Sequence, residues 1–276
     1  MTNFGTFLGQ LLDPFGYSLS AAWPRLRIKR QKYKRKLFSS RSLVWDEAYG
    51  FWRLDEMPSS TELNAYYALE YWNHRGDQQD SINARDISHY LDLVKHGPEF
   101  LANGSFDQKK VLNFGSGHGG LSHILWGLGF EVFNVEISEV SFDYPERWHT
   151  FTSMESLKRN LGEDKFSLVY ASHALEHVPD IIETFGIFKE LSGEDTVFMF
   201  EVPDSSATGQ GGKEGKINPP HTYYYTFDFF RKRFTTTKFI ASIESRKMFE
   251  LAGNTPGAVL GEGAGDCIRF IGLGLR

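Results

Sequence analysis

Three glycines and one carboxylate are spaced in this chain to hold a nucleoside. Gly115, Gly117 and Gly120 form a G-x-G-x-x-G pattern, and Glu136 follows about twenty residues on. Glycines at those positions let the backbone approach a ligand closely and start a helix without Cβ clashes. Glu136 comes near the end of the apolar run Phe130 to Ile137, and a carboxylate there can accept from both hydroxyls of a ribose. On these residues alone the pattern suits NAD as well as other nucleoside cofactors.

The elements that must position those groups can be read around them. Val111 to Phe114 is a short apolar run that enters the glycine cluster. Leu121, Ile124, Leu125 and Leu128 leave it at helical spacing. Further strands are predicted at 131–136, 148–151, 166–171 and 196–202, with helices between most of them. That alternation implies a parallel sheet covered on both faces. Ser138 to Glu146 is a poor helix. The apolar runs at 238–243 and 267–273 suit an antiparallel hairpin at the sheet edge. Pro203 to Pro220 is rich in Gly, Ser and Pro and too long for an ordinary connector. Ahead of the glycine turn, Ser59-Ser-Thr-Glu62 reads as a helix start. A further helix is predicted from about Asn83 to Val94, so residues 42–107 are expected to form a helical cap.

Composition narrows the class. The chain has 276 residues, 41% hydrophobic and 15% aromatic, which suffices for one large core. Its single cysteine, Cys267, excludes an internal disulfide framework and any Cys-rich zinc site. No apolar stretch of about 18 residues occurs, so no membrane span is expected. The N-terminus lacks the pattern of a secretory signal, and a cytoplasmic protein is the expectation. The net charge of −5 is unevenly distributed: residues 1–41 carry nine Lys or Arg against Asp13, and the remainder is acidic. Phe4, Phe7, Leu8, Leu11, Leu12 and Phe15 lie at helical spacing, and eight basic residues follow within 25–36. This arm, taken as 1–41, suits either an anionic membrane surface or docking on the protein's own body. Phosphate contacts to nucleic acid fit poorly with the acidic remainder.

Two later segments shift the balance between these cofactors. Phe166 to Pro179 runs from a buried strand into Leu175-Glu-His-Val-Pro-Asp180, and the long loop leads into His221-Thr-Tyr-Tyr-Tyr-Thr226. In that order and after that glycine turn, residues 108–240 resemble the class I S-adenosylmethionine-dependent methyltransferases, in the branch with LEHVPD after the fourth strand. The resemblance implies an α/β fold: a Rossmann-like, seven-stranded, mostly parallel sheet with an antiparallel edge hairpin, plus the N-terminal extension. The domain would span 108–276 and bind S-adenosylmethionine. Gly115, Ser116, Gly117 and Gly119 would form the turn under the methionine part, and Glu136 with Ile137 would meet the ribose. Ser153 and Met154 would bracket adenine, and Ala171 and Ser172 would lie beside the sulfonium. Asn113 stands where the family commonly has Asp or Glu, and its amide oxygen can still accept from the cofactor's ammonium group.

Methyl transfer to a hydroxyl needs a held acceptor and a base. Histidine is the natural choice near neutral pH, and His173, His177 and His221 fall near the carboxyl ends of the strands. His221 is the favoured base or substrate contact, carried by a closing loop. For His177 a structural role, a hydrogen bond tying helix to sheet, is favoured over a catalytic one. No metal is expected, because no pair of His, Asp or Glu residues has a convincing third member. The acceptor expected for this branch is a sugar of a glycan or lipid-linked saccharide, or a small metabolite, with an acceptor held at the membrane face by the basic arm. An NAD-dependent oxidoreductase and a non-catalytic cofactor-binding or membrane-associated scaffold are the alternatives.

Overall fold

The structure is a computed structural model, and it describes residues 38, 40–66, 82–102, 104–137, 146–207, 215–244 and 261–276. The amphipathic and basic stretches of the expected N-terminal arm, the segment 138–145, the middle of the loop 203–220 and residues 245–260 lie outside the described residues. In chain order the elements are β1 (Leu43–Asp46), β2 (Phe51–Leu54), α1 (Ser60–Tyr66), α2 (Ala84–His96), β3 (Lys110–Phe114), α3 (Gly120–Gly127), β4 (Glu131–Val135), β5 (Trp148–Phe151), α4 (Met154–Leu161) and β6 (Phe166–Ser172). There follow α5 (Ile181–Glu190), β7 (Ser192–Pro203), β8 (Tyr223–Tyr225), α6 (Phe227–Arg233), β9 (Phe234–Ile243) and β10 (Cys267–Leu275).

Seven strands form one sheet in the order β5-β4-β3-β6-β7-β10-β9. The first five are mutually parallel, and β10 runs antiparallel to both β7 and β9. The expected edge hairpin is therefore present. Successive residues of the central strands divide between two buried clusters, as the two-residue period of a strand requires. Leu112, Phe133, Val169, Phe198 and Phe200 face α4, α5 and α6. Val111, Val132, Leu168, Val197 and Met199 face α2 and α3.

On the α2–α3 face the side chains change from apolar to polar toward the carboxyl ends of the strands. Asn113, Asn134, Tyr170, Glu201 and Arg269 continue that face, and all are buried. This polar upper layer, not the apolar floor, is what positions the functional residues.

Residues 42–107 depart from the expected helical cap. β1 and β2 are strands, paired antiparallel, and β2 pairs with β8 to make a second sheet of order β1-β2-β8. The aromatic residues misled the reading, because Trp45, Phe51 and Trp52 alternate about the hairpin instead of lining a helix. The helix start at Ser59 is present: Glu62 accepts from the Ser59 backbone N–H at 2.8 Å, and Ser59 Oγ accepts from the Glu62 N–H at 3.3 Å. Asn83 and Asp86 cap α2 in the same reciprocal way.

Candidate functional site

The turn between β3 and α3 is built from backbone that side chains would block. Gly115, Gly117 and Gly119 all have positive φ. A Cβ on Gly115 would lie 2.3 Å from the Ala174 Cβ, so the turn after β6 packs directly on the glycine turn. The Gly115 N–H donates to the Val135 carbonyl at 2.8 Å, which ties the turn to the end of β4. The Gly117 N–H donates to Glu136 Oε2 at 2.9 Å, so the expected ribose carboxylate is held against the glycine backbone. Ser116 Oγ is buried with no hydrogen-bond partner among the described residues. An orphaned hydroxyl beside a Gly-rich turn fits a polar ligand there. Ile137 projects from the next position, half exposed.

The remaining expected cofactor residues divide. Ala171 and Ser172 end β6 beside β3, as expected. Asn113 is turned inward: its Nδ2 donates to Ser122 Oγ at 2.8 Å, and that hydroxyl donates to Asn134 Oδ1 at 2.6 Å. Strand parity places it on the α2–α3 face, where its amide nitrogen links sheet to helix. Ser153 and Met154 are corrected as side-chain brackets for adenine. Ser153 Oγ accepts from the Ser156 N–H and caps α4, while Met154 packs into the core. What they offer a ligand is the backbone N–H of the first helical turn.

The three histidines converge on a buried carboxylate that the sequence reading did not single out. Glu176, in the 3-10 turn after β6, is 1% exposed. His173 Nδ1 lies 3.3 Å from its Oε1 and His177 Nε2 3.7 Å away. The rings of His177 and His221 stand edge to face with centroids 5.0 Å apart. Burial opposes ionisation of Glu176, but the imidazoles of His177 and His173 outweigh it and hold the carboxyl down at about 2. Burial, helped by the charge of His177, pushes His221 down to about 4, so it is neutral at physiological pH. Burial also disfavours charge on His173, yet its contacts with Cys267, Glu176 and Glu201 raise it well above the usual value, which suits a cation better than a base. Folding also gathers donors that spacing alone did not bring together: one donor atom each from Glu176, His177 and His221 lie within 4.8 Å of one another.

His221 does not ride on a free loop. Its successor Thr222 donates its backbone N–H to the Glu176 carbonyl at 2.8 Å, and its hydroxyl lies 3.0 Å from that carbonyl and 2.9 Å from that of Val178. Tyr225 Oη donates to the Leu175 carbonyl at 2.8 Å, and Tyr223 Oη accepts from the Ile181 N–H. The two recurring motifs are thus one unit, in which the tyrosines and threonine of 221–226 bind the backbone of 175–181. Thr222→Val should cost about 1–3 kcal/mol, because it removes the hydroxyl shared by two carbonyls. Equilibrium urea denaturation checks this, and an unchanged midpoint would contradict it.

A second buried charge cluster adjoins the first. Glu201 on β7 is directly opposite Arg269 on β10, and its Oε2 accepts from Arg269 Nε at 2.9 Å and Nη2 at 2.6 Å. His89 Nε2 meets the same oxygen at 2.9 Å, and Tyr170 Oη meets His89 Nδ1 at 2.7 Å. Arg269 Nη1 also reaches Ser88 and Asp92 of α2. His173 Nε2, at 3.4 Å from Glu201 Oε1, joins the two clusters. None of Glu201, Arg269 and His89 stood out as functional, since they come from three distant segments and only strand register brings them together.

Residues 84–250 match the sequence profile of a family described as a methyltransferase domain, which is more than half of the chain. The chain belongs to that methyltransferase family. Its cofactor is S-adenosylmethionine, and the nicotinamide alternative is set aside. Among solved structures, the chain is similar to 1,6-didemethyltoxoflavin-N1-methyltransferase from Burkholderia thailandensis, solved with S-adenosylhomocysteine. That match has 14% identity, a TM-score of 0.52, and covers 85% of this chain and 99% of that one. It is also similar to a SAM-dependent methyltransferase from Archaeoglobus fulgidus, with 16% identity, a TM-score of 0.44, and coverage of 69% and 94%. No curated protein matches the sequence. In this methyltransferase, Gly115 to Gly119, Ser116 Oγ and Glu136 are the residues that would hold the cofactor, which supplies an electrophilic methyl on sulfur. Replacing Glu136 with Ala should weaken S-adenosylhomocysteine binding about 10–100-fold, the value of losing charged hydrogen bonds worth about 1.5–3 kcal/mol. Titration calorimetry reads this directly, and an affinity within threefold of the parent would remove Glu136 from the site.

Proposed function

We propose that this methyltransferase transfers the methyl group to a sugar hydroxyl of a glycan or lipid-linked saccharide. The observation that carries the reading is a cleft of about 400 Å³ lined by Trp45, Trp52, Ser205, Ser206, Thr226, Asp228 and Glu262. Small-molecule sites commonly measure about 300–1,000 Å³ and combine apolar walls with a few polar groups. Here the walls are two indoles with centroids 5.3 Å apart, Trp45 being 36% exposed. Flat aromatic faces accept the C–H faces of a pyranose, while carboxylates and hydroxyls bind its hydroxyl groups. Ser205 and Ser206 directly follow β7, so the cleft borders the carboxyl edge of the sheet.

His221, neutral and next to buried Glu176, supports O-methylation, since it can receive the proton of an acceptor hydroxyl. His177 is its neighbour in that pair, and His173 orients the carboxylates. The apolar and basic pattern of residues 1–36 supports an acceptor at an anionic membrane surface. Among the described residues no helix is long and apolar enough to cross a membrane.

The test is transfer of labelled methyl from S-adenosylmethionine to panels of free and lipid-linked saccharides, amines and small aromatic metabolites. Label on a saccharide oxygen, with a raised KM in Trp52→Ala, is the expected result. Label confined to nitrogen acceptors would overturn the reading. Co-sedimentation with anionic vesicles, comparing the full chain with one starting at residue 42, tests the membrane part, and equal pelleting would refute it.

A further inference from the structure

Glu176 presents an unusual combination. It is 1% exposed, and neither oxygen accepts a hydrogen bond of good geometry among the described residues. The nearby imidazoles lie at 3.3 and 3.7 Å without hydrogen-bond geometry. Buried carboxylate oxygens that lack a hydrogen-bond donor are rare, and they mark a place where a further group can be bound. His221 Nδ1 is likewise buried and has no hydrogen-bond partner among the described residues. One donor atom each from Glu176, His177 and His221 fall within 4.8 Å of one another. All three are held there by the 3-10 turn and by Thr222, so the group is rigid.

We propose that Glu176, His177 and His221 bind a divalent transition-metal ion. Two imidazoles and one carboxylate form the donor set that suits zinc or manganese-type ions better than magnesium or calcium. Three protein ligands leave coordination positions open, and the turn that carries Glu176 and His177 stands just beyond the end of β6. An oxygen of the acceptor would occupy an open position, where the ion would acidify it and His221 would serve as a ligand in place of the base; this assignment rests on the sugar-hydroxyl reading above. The neighbouring group of His173, Glu201 and Cys267 also has metal-like spacing. It is the weaker candidate, because Arg269 already neutralises Glu201 through two hydrogen bonds.

The experiment uses the full chain, treated with a chelator and dialysed, then titrated calorimetrically with zinc and separately with manganese. Bound metal is counted by mass spectrometry. One equivalent of either ion is expected. Losing an outer partner of a metal site typically costs about 10–100-fold, so His221→Ala and Glu176→Gln should each weaken binding by at least about 100-fold. S-adenosylhomocysteine affinity should stay within threefold in His221→Ala, which separates the metal site from the cofactor site. If the variants fail to fold, the parent protein decides: saturating metal should raise its melting temperature. No saturable binding of either ion, or full binding in both variants, overturns the proposal. Stoichiometric metal in a protein that methylates no saccharide would leave the site standing and overturn the acceptor reading.

Discussion

Arg269→Met should lower the free energy of unfolding by about 3–5 kcal/mol, the cost typical of leaving one member of a buried ion pair alone. Glu201 is fully buried, and Arg269 gives it two hydrogen bonds while also bonding Ser88 and Asp92. The loss should therefore also loosen α2 from the sheet. Urea denaturation gives the magnitude, and faster amide exchange across 84–96 locates it. A shift below 1 kcal/mol would mean that His89 alone suffices for Glu201. The double variant Arg269→Met with Glu201→Leu should recover much of the stability, because no charge is then left in the core.

Acid should attack the same cluster. Burial opposes the charge on Glu201, but His89 and Arg269 outweigh it and hold the carboxyl well below its usual range. Its stabilisation is full above the unfolded value near 4.5 and is lost as pH falls. Burial depresses His89, partly offset by Glu201, so the unfolded chain takes up a proton below about 6.5 while the buried ring resists it. Both groups therefore reduce stability on acidification, and their contribution should make the urea midpoint fall from pH 6.5 toward pH 4. His89→Gln can still donate to Glu201 but cannot titrate, and should lose less between pH 6.5 and 5. An equal slope would assign the acid sensitivity elsewhere.

The second large effect concerns Gly115. At φ +66 a side chain costs about 1–2 kcal/mol, and its Cβ would lie 2.3 Å from the Ala174 Cβ. The backbone must move, and with it the hydrogen bond to Val135 and the surroundings of Ser116. Gly115→Val should reduce S-adenosylhomocysteine affinity at least about 100-fold, or about 2.7 kcal/mol. Calorimetry measures this alongside a cooperative unfolding curve that shows the rest of the fold intact. Binding within threefold of the parent would place the cofactor elsewhere.

The seven-stranded sheet was legible because its central strands are apolar runs and its first turn is written in glycine. Both are local signals, and β3, β4 and β5 begin where the runs predict. The cofactor end of the site was legible for the same reason. What escaped depends on register or on distant segments. Trp45 and Trp52 sit in runs of four residues, too short for alternation to mark a strand, and β2 becomes a strand by pairing with Tyr223 to Tyr225. Glu201 and Arg269 are 68 positions apart and meet only through the antiparallel pairing of β10 on β7. His221 was recognised, but its partner Glu176 was passed over inside a motif already explained by its histidine. Ser153 and Met154 were placed by analogy, whereas helix capping and core packing determine where their side chains go.

The sheet β1-β2-β8 also bears on how the protein is made. β2 comprises residues 51–54, yet its outer partner is 223–225, so one edge of the hairpin waits until most of the chain has left the ribosome. The β3-to-β7 half can assemble earlier from nearer segments. Long-range pairings form late, and an unpaired edge invites other chains meanwhile. The cleft around Trp45 and Trp52 is therefore the last part to mature and the part most exposed to misassembly. Truncations that remove the hairpin would strand Tyr223 to Tyr225 and yield a protein whose seven-stranded sheet outlives that cleft.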